Sequence, residues 1–298
     1  MIQVPAIVYP AQRIITMDSV LPRANAIAVS GGRITAVGQL EELRHSGTVD
    51  DTFADAVVLP GLIDQHLHPV LGAATLMTEV IAIEDWVLPG YTFRAANGAA
   101  DYRRRLADAD RRLTDPGEWL FSWGYHRLWH GDLDRSVLDT VSATRPIAVW
   151  QRSCHEWYLN SAAIATLGLT ADRMAGHGPA STMVDFEAGH WWEAGMNLLL
   201  PALTPVVMTA DRLAAGLQQL VAYLRSSGVT AINEPGIMWA VEPWDLYQQI
   251  LGSSETPFTS TFLVDARSQA DSGMDPVDAV ADAEAQVARA ATGKVRLL

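Results

Sequence analysis

The order of apolar runs along the chain is the feature that most constrains its fold. From residue 62 onward, short apolar runs of strand length alternate with longer stretches in which apolar residues recur at helical spacing. Such alternation is typical of parallel strands joined by helices, because a parallel connection must carry the chain back along the sheet. We therefore predict an α/β fold built on a parallel sheet or barrel. The predicted strands lie at residues 62–64, 119–124, 147–150, 229–233, 258–264 and 295–298.

Residues 1–60 follow a different pattern. Two β-rich runs, 26–30 and 33–38, flank a Gly-Gly pair at 31–32. Glycine takes positive φ without a steric penalty, so this pair predicts the tight turn of an antiparallel hairpin. We expect a small β module here, followed by the alternating strands and helices of residues 61–298.

The composition excludes several classes of function. Of 298 residues, 34 are acidic and 21 are basic, and the net charge of −13 disfavours binding to the phosphates of nucleic acid. With 49% hydrophobic and 18% charged residues, the chain is too apolar for a disordered protein. It has no apolar run of the roughly 18 residues that a membrane span needs, and its start lacks the pattern of a secretory signal. We expect a cytoplasmic protein whose partner is a small molecule, without nucleic acid or membrane, and leave a homodimer open.

Two histidines follow the first predicted strand of the α/β part. His66 and His68 are two positions apart, and residues two apart on a strand point to the same side, so their imidazoles are expected to converge. Neutral imidazole is a common ligand of divalent transition metals. Asp64 lies on the same side, where it either orients a ligand imidazole or caps the strand end. The alternative to a metal site is a histidine pair held by backbone hydrogen bonds.

Several motifs in order resemble a known family. They are the hairpin at 26–38, the segment 58–69 (VLPGLIDQHLHP), the segment 149–161 (VWQRSCHEWYLNS), Gly189-x-x-x-Glu193-Ala194 and Gly228-Val229-Thr230-Ala231. Together they are similar to the amidohydrolase superfamily, and the later ones to its branch amidohydrolase family 3, which includes the N-substituted formamide deformylases. The resemblance runs from about residue 6 to the end of the chain.

The resemblance implies both an architecture and a chemistry. The fold would be a (β/α)8 TIM-type barrel, incomplete in this chain, with a small N-terminal β-sandwich module. Residues 1–60 would form part of the sandwich and residues 61–298 the first five to six barrel strands. The activity would be a metal-dependent hydrolase that cleaves a non-peptide C–N bond, of an amide or N-formyl group, with water activated by one or two divalent ions, zinc being expected. The alternatives are an ester, lactone or aryl amine substrate, and a non-catalytic fragment or binding module.

Three further residues are candidates for the site. Glu234 follows the strand at 229–233 and would bridge two metal ions in place of the carboxylated lysine of many family members, or else merely begin a loop; the chain's single lysine, Lys294, lies at the last strand. By resemblance His155 would contact the substrate or line its pocket; a structural role in a loop is the alternative. Glu193 is either a catalytic acid or base, or a partner of an arginine.

Several other residues are expected to have structural, surface or pocket-lining roles. Cys154 is expected to be a small buried thiol rather than a ligand or nucleophile, since nothing near it in sequence lowers its pKa. His126 and His130 are expected on a pocket wall or at the surface, and residues 168–190 as a long loop. The ten tryptophans line an apolar pocket or pack in the core.

The end of the chain carries one further expectation. No histidine follows His190, the last strand has no helix after it, and the later ligands by which family members complete their site cannot be placed. We expect a C-terminally truncated piece of a longer protein, the alternative being a terminal edge strand.

Overall fold

The structure is a computed structural model, and it describes residues 5–236, 244–264, 273–290 and 293–298. The chain divides into two compact units, residues 1–63 and 64–298. Each unit has its own apolar clusters, and each is described by itself below.

The first unit contains one five-stranded sheet. Its elements are β1 (Ala6–Ile15), β2 (Arg23–Ser30), β3 (Arg33–Gly38), α1 (Leu40–Leu43), β4 (Gly47–Val49), a 3-10 turn at Asp51–Phe53, and β5 (Val57–Val58). The predicted hairpin is present: β2 and β3 pair antiparallel, and Gly31 and Gly32 between them have φ of 57° and 74°. Strand β1 pairs antiparallel with β2 and parallel with β4 and β5. The described residues of this unit form a single sheet, so its place in a sandwich stays a prediction.

From residue 62 onward the strands form a six-stranded sheet, a four-stranded sheet and one hairpin. These strands are β6 (Leu62–Asp64), β7 (Glu79–Val80), β8 (Trp86–Leu88), β9 (Tyr91–Phe93), β10 (Leu120–Tyr125), β11 (Ile147–Gln151), β12 (Glu156–Leu159), β13 (Val184–Asp185), β14 (His190–Trp192), β15 (Val229–Glu234), β16 (Thr259–Phe262) and β17 (Val295–Leu297). One sheet has the order β13-β14-β12-β11-β10-β7, the other has the order β17-β16-β15-β6, and β8 pairs with β9. Each of the six predicted runs overlaps one of these strands.

The parallel pairing that the sequence predicts occurs within both sheets, but the strands do not close into one barrel over the described ranges. Strands β7, β10 and β11 are parallel neighbours, as are β15, β16 and β17. Beyond β11, however, lies an antiparallel ribbon of β12, β14 and β13. That ribbon includes part of the segment predicted as a long loop, and its aromatic residues Trp157, Tyr158, Trp191 and Trp192 are strong strand formers. The structure therefore shows a mixed α/β fold, and the barrel stays a prediction.

The helices lie between and beside these strands. They are α2 (Pro69–Leu76), α3 (Gly98–Arg112), α4 (Arg127–His130), α5 (Arg135–Val141), α6 (Ser161–Thr166), α7 (Ala171–Met174), α8 (Met196–Val207), α9 (Ala210–Ser226), α10 (Trp244–Leu246) and α11 (Pro276–Ala290), with 3-10 turns at Gly178–Met183 and Glu193–Gly195 and a π-helical turn at Tyr247–Leu251.

Helices α2 and α9 pack closely beside the four-stranded sheet. Helix α9 begins with the Thr209 hydroxyl accepting the N–H of Arg212, and its apolar face enters the same cluster as the strand residues Ile232 and Phe262. The two helices approach backbone to backbone at Gly216, where a Cβ would lie 2.3 Å from the carbonyl oxygen of Ala73. This close approach requires glycine and fixes the position of α2.

Helix α8 was not predicted from the sequence. It contains Pro201 and Pro205, which lack the N–H of a regular helix and usually indicate a break. Its buried residues Leu199, Leu203 and Val207 recur at helical spacing and hold it in an apolar cluster. Within the described ranges, no single helix is long and apolar enough to cross a bilayer; the segment 193–207 and α9 meet the criterion only as a pair bent by 82°.

We predict that Gly216→Ala lowers the free energy of unfolding by about 1–3 kcal/mol, because the new methyl group meets the backbone of α2. The matched control is Gly72→Ala on α2, where a Cβ would make an ordinary contact of 3.4 Å with Leu220. That variant should be neutral or stabilised by up to about 1 kcal/mol, since alanine favours helix over glycine. Urea unfolding followed by circular dichroism measures both, and equal stabilities of the two variants would contradict the close approach.

Candidate metal centre

His66 and His68 lie just beyond the C-terminal end of β6. The strand ends at Asp64, so the two histidines occupy the loop that leads into α2, with His68 as its N-cap residue. Their Nε2 atoms are 3.3 Å apart and their rings are nearly perpendicular, at 88°. The imidazoles converge as expected, but through a turn after the strand rather than through alternation along it. Two nitrogen ligands of one tetrahedral zinc ion lie about 3.3 Å apart, so the observed separation fits a shared metal.

Asp64 acts on the loop backbone. Its Oδ1 accepts the N–H of His66 at 3.1 Å. Of the two roles that the sequence left open, this contact corresponds to capping the strand end. It fixes the turn that brings His66 towards His68.

Glu234 contacts the far side of the His68 ring. It ends β15 and is only 2% exposed, and its Oε1 lies 2.8 Å from Nδ1 of His68. The N–H of Gly236 donates to the same oxygen at 3.2 Å. A carboxylate that accepts Nδ1–H keeps the Nε2 lone pair of a neutral imidazole free for a metal. Glu234 thus occupies the orienting position that the sequence suggested for Asp64, while its bridging role stays a prediction.

Burial dominates the electrostatics of Glu234. It raises the pKa of this carboxyl above its ordinary value, although the neighbouring His68 acts in the opposite direction. A buried carboxyl group needs hydrogen-bond partners. Nδ1 of His68 and the backbone N–H of Gly236 lie within hydrogen-bonding distance of it.

His155 and Glu193 form a second pair. His155 lies in the turn between β11 and β12, and its Nδ1 is 3.1 Å from Oε2 of Glu193. The backbone N–H of Glu193 also donates to the carbonyl of His155. Cys154 and Glu193 have φ of 66° and 45°, two of the three positive values at non-glycine residues in the described part of the chain. Such backbone strain is concentrated at functional sites. The side-chain partner of Glu193 is His155 and not an arginine, as one of its two predicted roles required.

One residue of each pair borders the same cavity. His68 and His155 both line a space of about 280 Å³ whose other walls come from α2, β11, β12 and α8. Sequence reasoning missed the α8 wall, because the two prolines hid that helix. The i, i+4 spacing of Met196 and Leu200 is the signal that could have found it.

Cys154 also lines this cavity. Burial raises the pKa of its thiol, so the thiol is protonated at neutral pH and is a poor nucleophile.

Two other histidines, His130 and His190, are packed against aromatic residues. His130 is 1% exposed and stacks on Tyr102 at 4.5 Å, so the expectation of a pocket wall or surface position is wrong for it. Its Nδ1 accepts the N–H of His126, and burial lowers its pKa. His190 was expected at the end of a loop, but it lies in β14 and stacks on Tyr158 at 4.2 Å. The His190 ring is also held by Glu156, whose Oε2 lies 2.9 Å from its Nε2.

Lys294 lies far along the chain from these pairs, just before β17. Its Nζ donates to the backbone carbonyls of Ser253 and Thr256 at 3.0 and 2.7 Å. Its observed role is therefore to hold the end of the preceding turn.

Comparison with known proteins gives two kinds of likeness. Residues 54–288 match the model of a family described as the Amidohydrolase family. The chain is 26% identical over 238 residues to Protein LONG AFTER FAR-RED 3 of Arabidopsis thaliana, an alignment that covers 75% of this chain and 37% of that protein. It is 29% identical over 167 residues to the N-substituted formamide deformylase of Arthrobacter pascens, covering 52% of this chain and 28% of that protein.

A solved structure is also similar. An uncharacterized metal-dependent hydrolase from Pyrococcus horikoshii OT3 superposes with a TM-score of 0.62 at 14% identity, covering 89% of this chain and 50% of that one. At this identity the likeness concerns the fold alone. The chain therefore spans 28–37% of the length of the two curated relatives and half of the solved structure.

We predict that His68 in the metal-free chain carries its proton on Nδ1, because Glu234 accepts it there. Long-range proton–nitrogen NMR correlations of histidine distinguish the two tautomers. Glu234→Ala should shift His68 towards the other tautomer or a mixture, whereas Glu234→Gln should keep Nδ1–H through its carbonyl oxygen. Glu118→Ala, which removes an exposed carboxylate elsewhere, is the control. An unchanged His68 signal in Glu234→Ala would show that the contact does not set the tautomer.

Proposed function

Because this chain belongs to the amidohydrolase family, in its family 3 branch, we propose that it carries the metal-binding part of a hydrolase that cleaves a non-peptide C–N bond. The bond would be that of an amide or N-formyl group. One observation carries the proposal. The Nε2 atoms of His66 and His68 lie 3.3 Å apart, and the His68 ring both borders a cavity and contacts the buried carboxyl group of Glu234. The (β/α)8 barrel typical of the family is part of this proposal.

His66 and His68 would hold the divalent ion, and zinc suits their nitrogen donors and their separation. When bound, such an ion supplies a water of lowered pKa and polarises the scissile carbonyl. Within the described ranges, no group of three or more His, Cys, Asp or Glu side chains is arranged to hold a metal. The two histidines are thus the ligands that the described part contributes.

In this proposal His155 would move a proton. Because its Nδ1 faces Glu193, its Nε2 is the atom that can take up a proton and return it to the leaving nitrogen. Expulsion of an amine requires that protonation. Glu193 does not need to touch the substrate; it is a positioning residue that sets the tautomer and orientation of His155.

A second candidate function is a binding module without turnover. The observation that favours it is the limited ligand set, since the described part provides two histidines and no third arranged ligand. A catalytic zinc site usually has three protein ligands. Metal content and turnover measured on this 298-residue chain distinguish the two functions.

We predict that the chain, loaded with zinc and dialysed, retains the metal, and that His66→Ala or His68→Ala weakens the affinity at least tenfold. Elemental analysis and competition with a chromogenic chelator measure this. His45→Ala is the matched control, because His45 is exposed and lies in the first unit. If the unsubstituted chain and the His66→Ala, His68→Ala and His45→Ala variants all bound zinc with the same affinity, the proposal would lose its basis. Retention of metal without release of amine from a panel of N-formyl and N-acetyl amines would favour the binding module.

We expect His155→Ala to lower kcat by roughly 10²–10⁴-fold with little change in KM, the usual effect of losing a general acid or base. Glu193→Gln should lower kcat less and change the pH profile, and Glu193→Asp should restore part of the loss. Metal content must be unchanged in all three variants. A rise in KM alone would instead identify His155 as a substrate-binding residue.

A further inference from the structure

We propose that the cavity enclosed by α2, α9 and the β8–β9 hairpin is a binding site for a primary amine that carries one apolar ring. This cavity is separate from the one at His68 and His155, since the two share no lining residue. The site rests on the walls, volume and charge of its own cavity. Only its link to catalysis rests on the proposed function, because cleavage of an amide releases an amine.

The inner walls of this cavity are aliphatic. Leu76 of α2, Leu88 of β8 and Leu220 of α9 line it, and all three belong to one buried cluster. Leu67, which stands between the two histidines of the candidate metal centre, also lines it. Small-molecule sites in proteins are typically concave and mostly apolar, with a few polar groups. These walls therefore favour an apolar ring.

The hairpin that closes the cavity is fixed by two contacts. Tyr91 at the start of β9 donates from its hydroxyl to Oε1 of Gln219 on α9, at 2.7 Å. Asp85, just before β8, accepts from Arg94, just after β9, at 2.6 Å. The first contact holds the hairpin against α9, and the second joins its two ends. The cavity is therefore preformed, which reduces the ordering that a ligand would have to impose.

The charged side chains that line the cavity are acidic. They are Glu84 and Asp85, and no Lys, Arg or His of the described ranges lines it. Each carboxylate has an arginine partner, Arg152 for Glu84 and Arg94 for Asp85, but neither arginine belongs to the cavity wall. The pair of Arg94 and Asp85 is also exposed, and exposed ion pairs contribute little free energy. A ligand inside the cavity thus meets carboxylate groups without a competing cation in the wall.

An ammonium group suits this end of the cavity, whereas a carboxylate does not. The backbone N–H of Ala95 and the guanidinium of Arg94 hold the pKa of the Asp85 carboxyl below its ordinary value, so this group is charged at neutral pH. Hydrogen bonds between ionised partners are about twice as strong as those between neutral ones. An anion would be repelled by both carboxylates. Charge therefore selects a cation, and the aliphatic walls select a cation with an apolar substituent.

The volume limits that substituent to one ring. The cavity holds about 300 Å³, and benzene occupies an engineered apolar cavity of about 150 Å³. A single ring with a short chain and an amino group fits this space. Val87 and Tyr223, which also line the cavity, are 69% and 39% exposed. A bound ring would cover apolar surface that otherwise contacts water.

The test is a titration of the 298-residue chain with four small molecules that separate charge from ring: 2-phenylethylamine, 2-phenylethanol, 3-phenylpropanoate and ethylamine. The signal is the indole N–H resonance of Trp86, which lines the cavity, in isotope-labelled protein, and Trp86→Phe assigns it. We expect 2-phenylethylamine to bind at least threefold more tightly than 2-phenylethanol and at least tenfold more tightly than 3-phenylpropanoate or ethylamine. Equal affinity for the ring-bearing amine and any of the other three would overturn the site.

A positive charge placed at the cavity wall connects the binding to this place. Val87→Arg should weaken 2-phenylethylamine at least fivefold more than 2-phenylethanol, because the new guanidinium repels the ammonium. Val277→Arg is the matched control, since Val277 is 76% exposed on α11 and does not line the cavity. Circular dichroism verifies the fold of both variants. A change that is equal for the amine and the alcohol, or that Val277→Arg reproduces, would overturn the site.

Failure of this site and failure of the proposed function give different results. Preferential binding of 2-phenylethylamine by a chain that releases no amine from the N-formyl and N-acetyl amines would support the site and contradict the hydrolase. Metal-dependent hydrolysis by a chain whose Trp86 resonance does not respond to 2-phenylethylamine would contradict the site and leave the hydrolase standing.

Discussion

The hydrogen bond between His68 and Glu234 joins residues 166 positions apart, and the geometry of the candidate site depends on it. Glu234 is buried at the end of β15, so its carboxyl group needs an internal partner. Nδ1 of His68 provides that partner, and the ring is oriented in return. With this nitrogen engaged, the other nitrogen of the ring points to His66, and the two rings form a pair of convergent donors.

The surrounding scaffold holds both ends of that bond. His68 begins α2, which contacts α9 backbone to backbone at Gly216. Helix α9 leads within three residues into β15, which carries Glu234, and β15 lies next to β6 in the sheet. The helix contact and the strand pairing therefore fix the same two side chains from two directions. A shift of either element would separate the imidazole from its acceptor.

The second sheet brings a different chemistry to the same cavity. The stacked pair of Trp150 and Trp157 holds β11 against β12, and the tight turn between these strands carries His155. Its partner Glu193 stands in a left-handed conformation just before α8, the helix that closes the cavity. Rigid strands thus support a strained turn beside the cavity that α8 also lines.

The sequence by itself determined the features that depend on neighbouring residues: the hairpin at Gly31 and Gly32, the six strand positions, and the histidine pair after β6. Only the tertiary structure decided the pairing of β15 with β6, the ribbon beyond β11, the α8 wall and the contact of Glu234 with His68. Apolar periodicity is set within a few residues, so it can be read locally. Which strand becomes the neighbour of another, and which buried carboxyl group meets which imidazole, follows from packing between distant segments, and no local pattern records it.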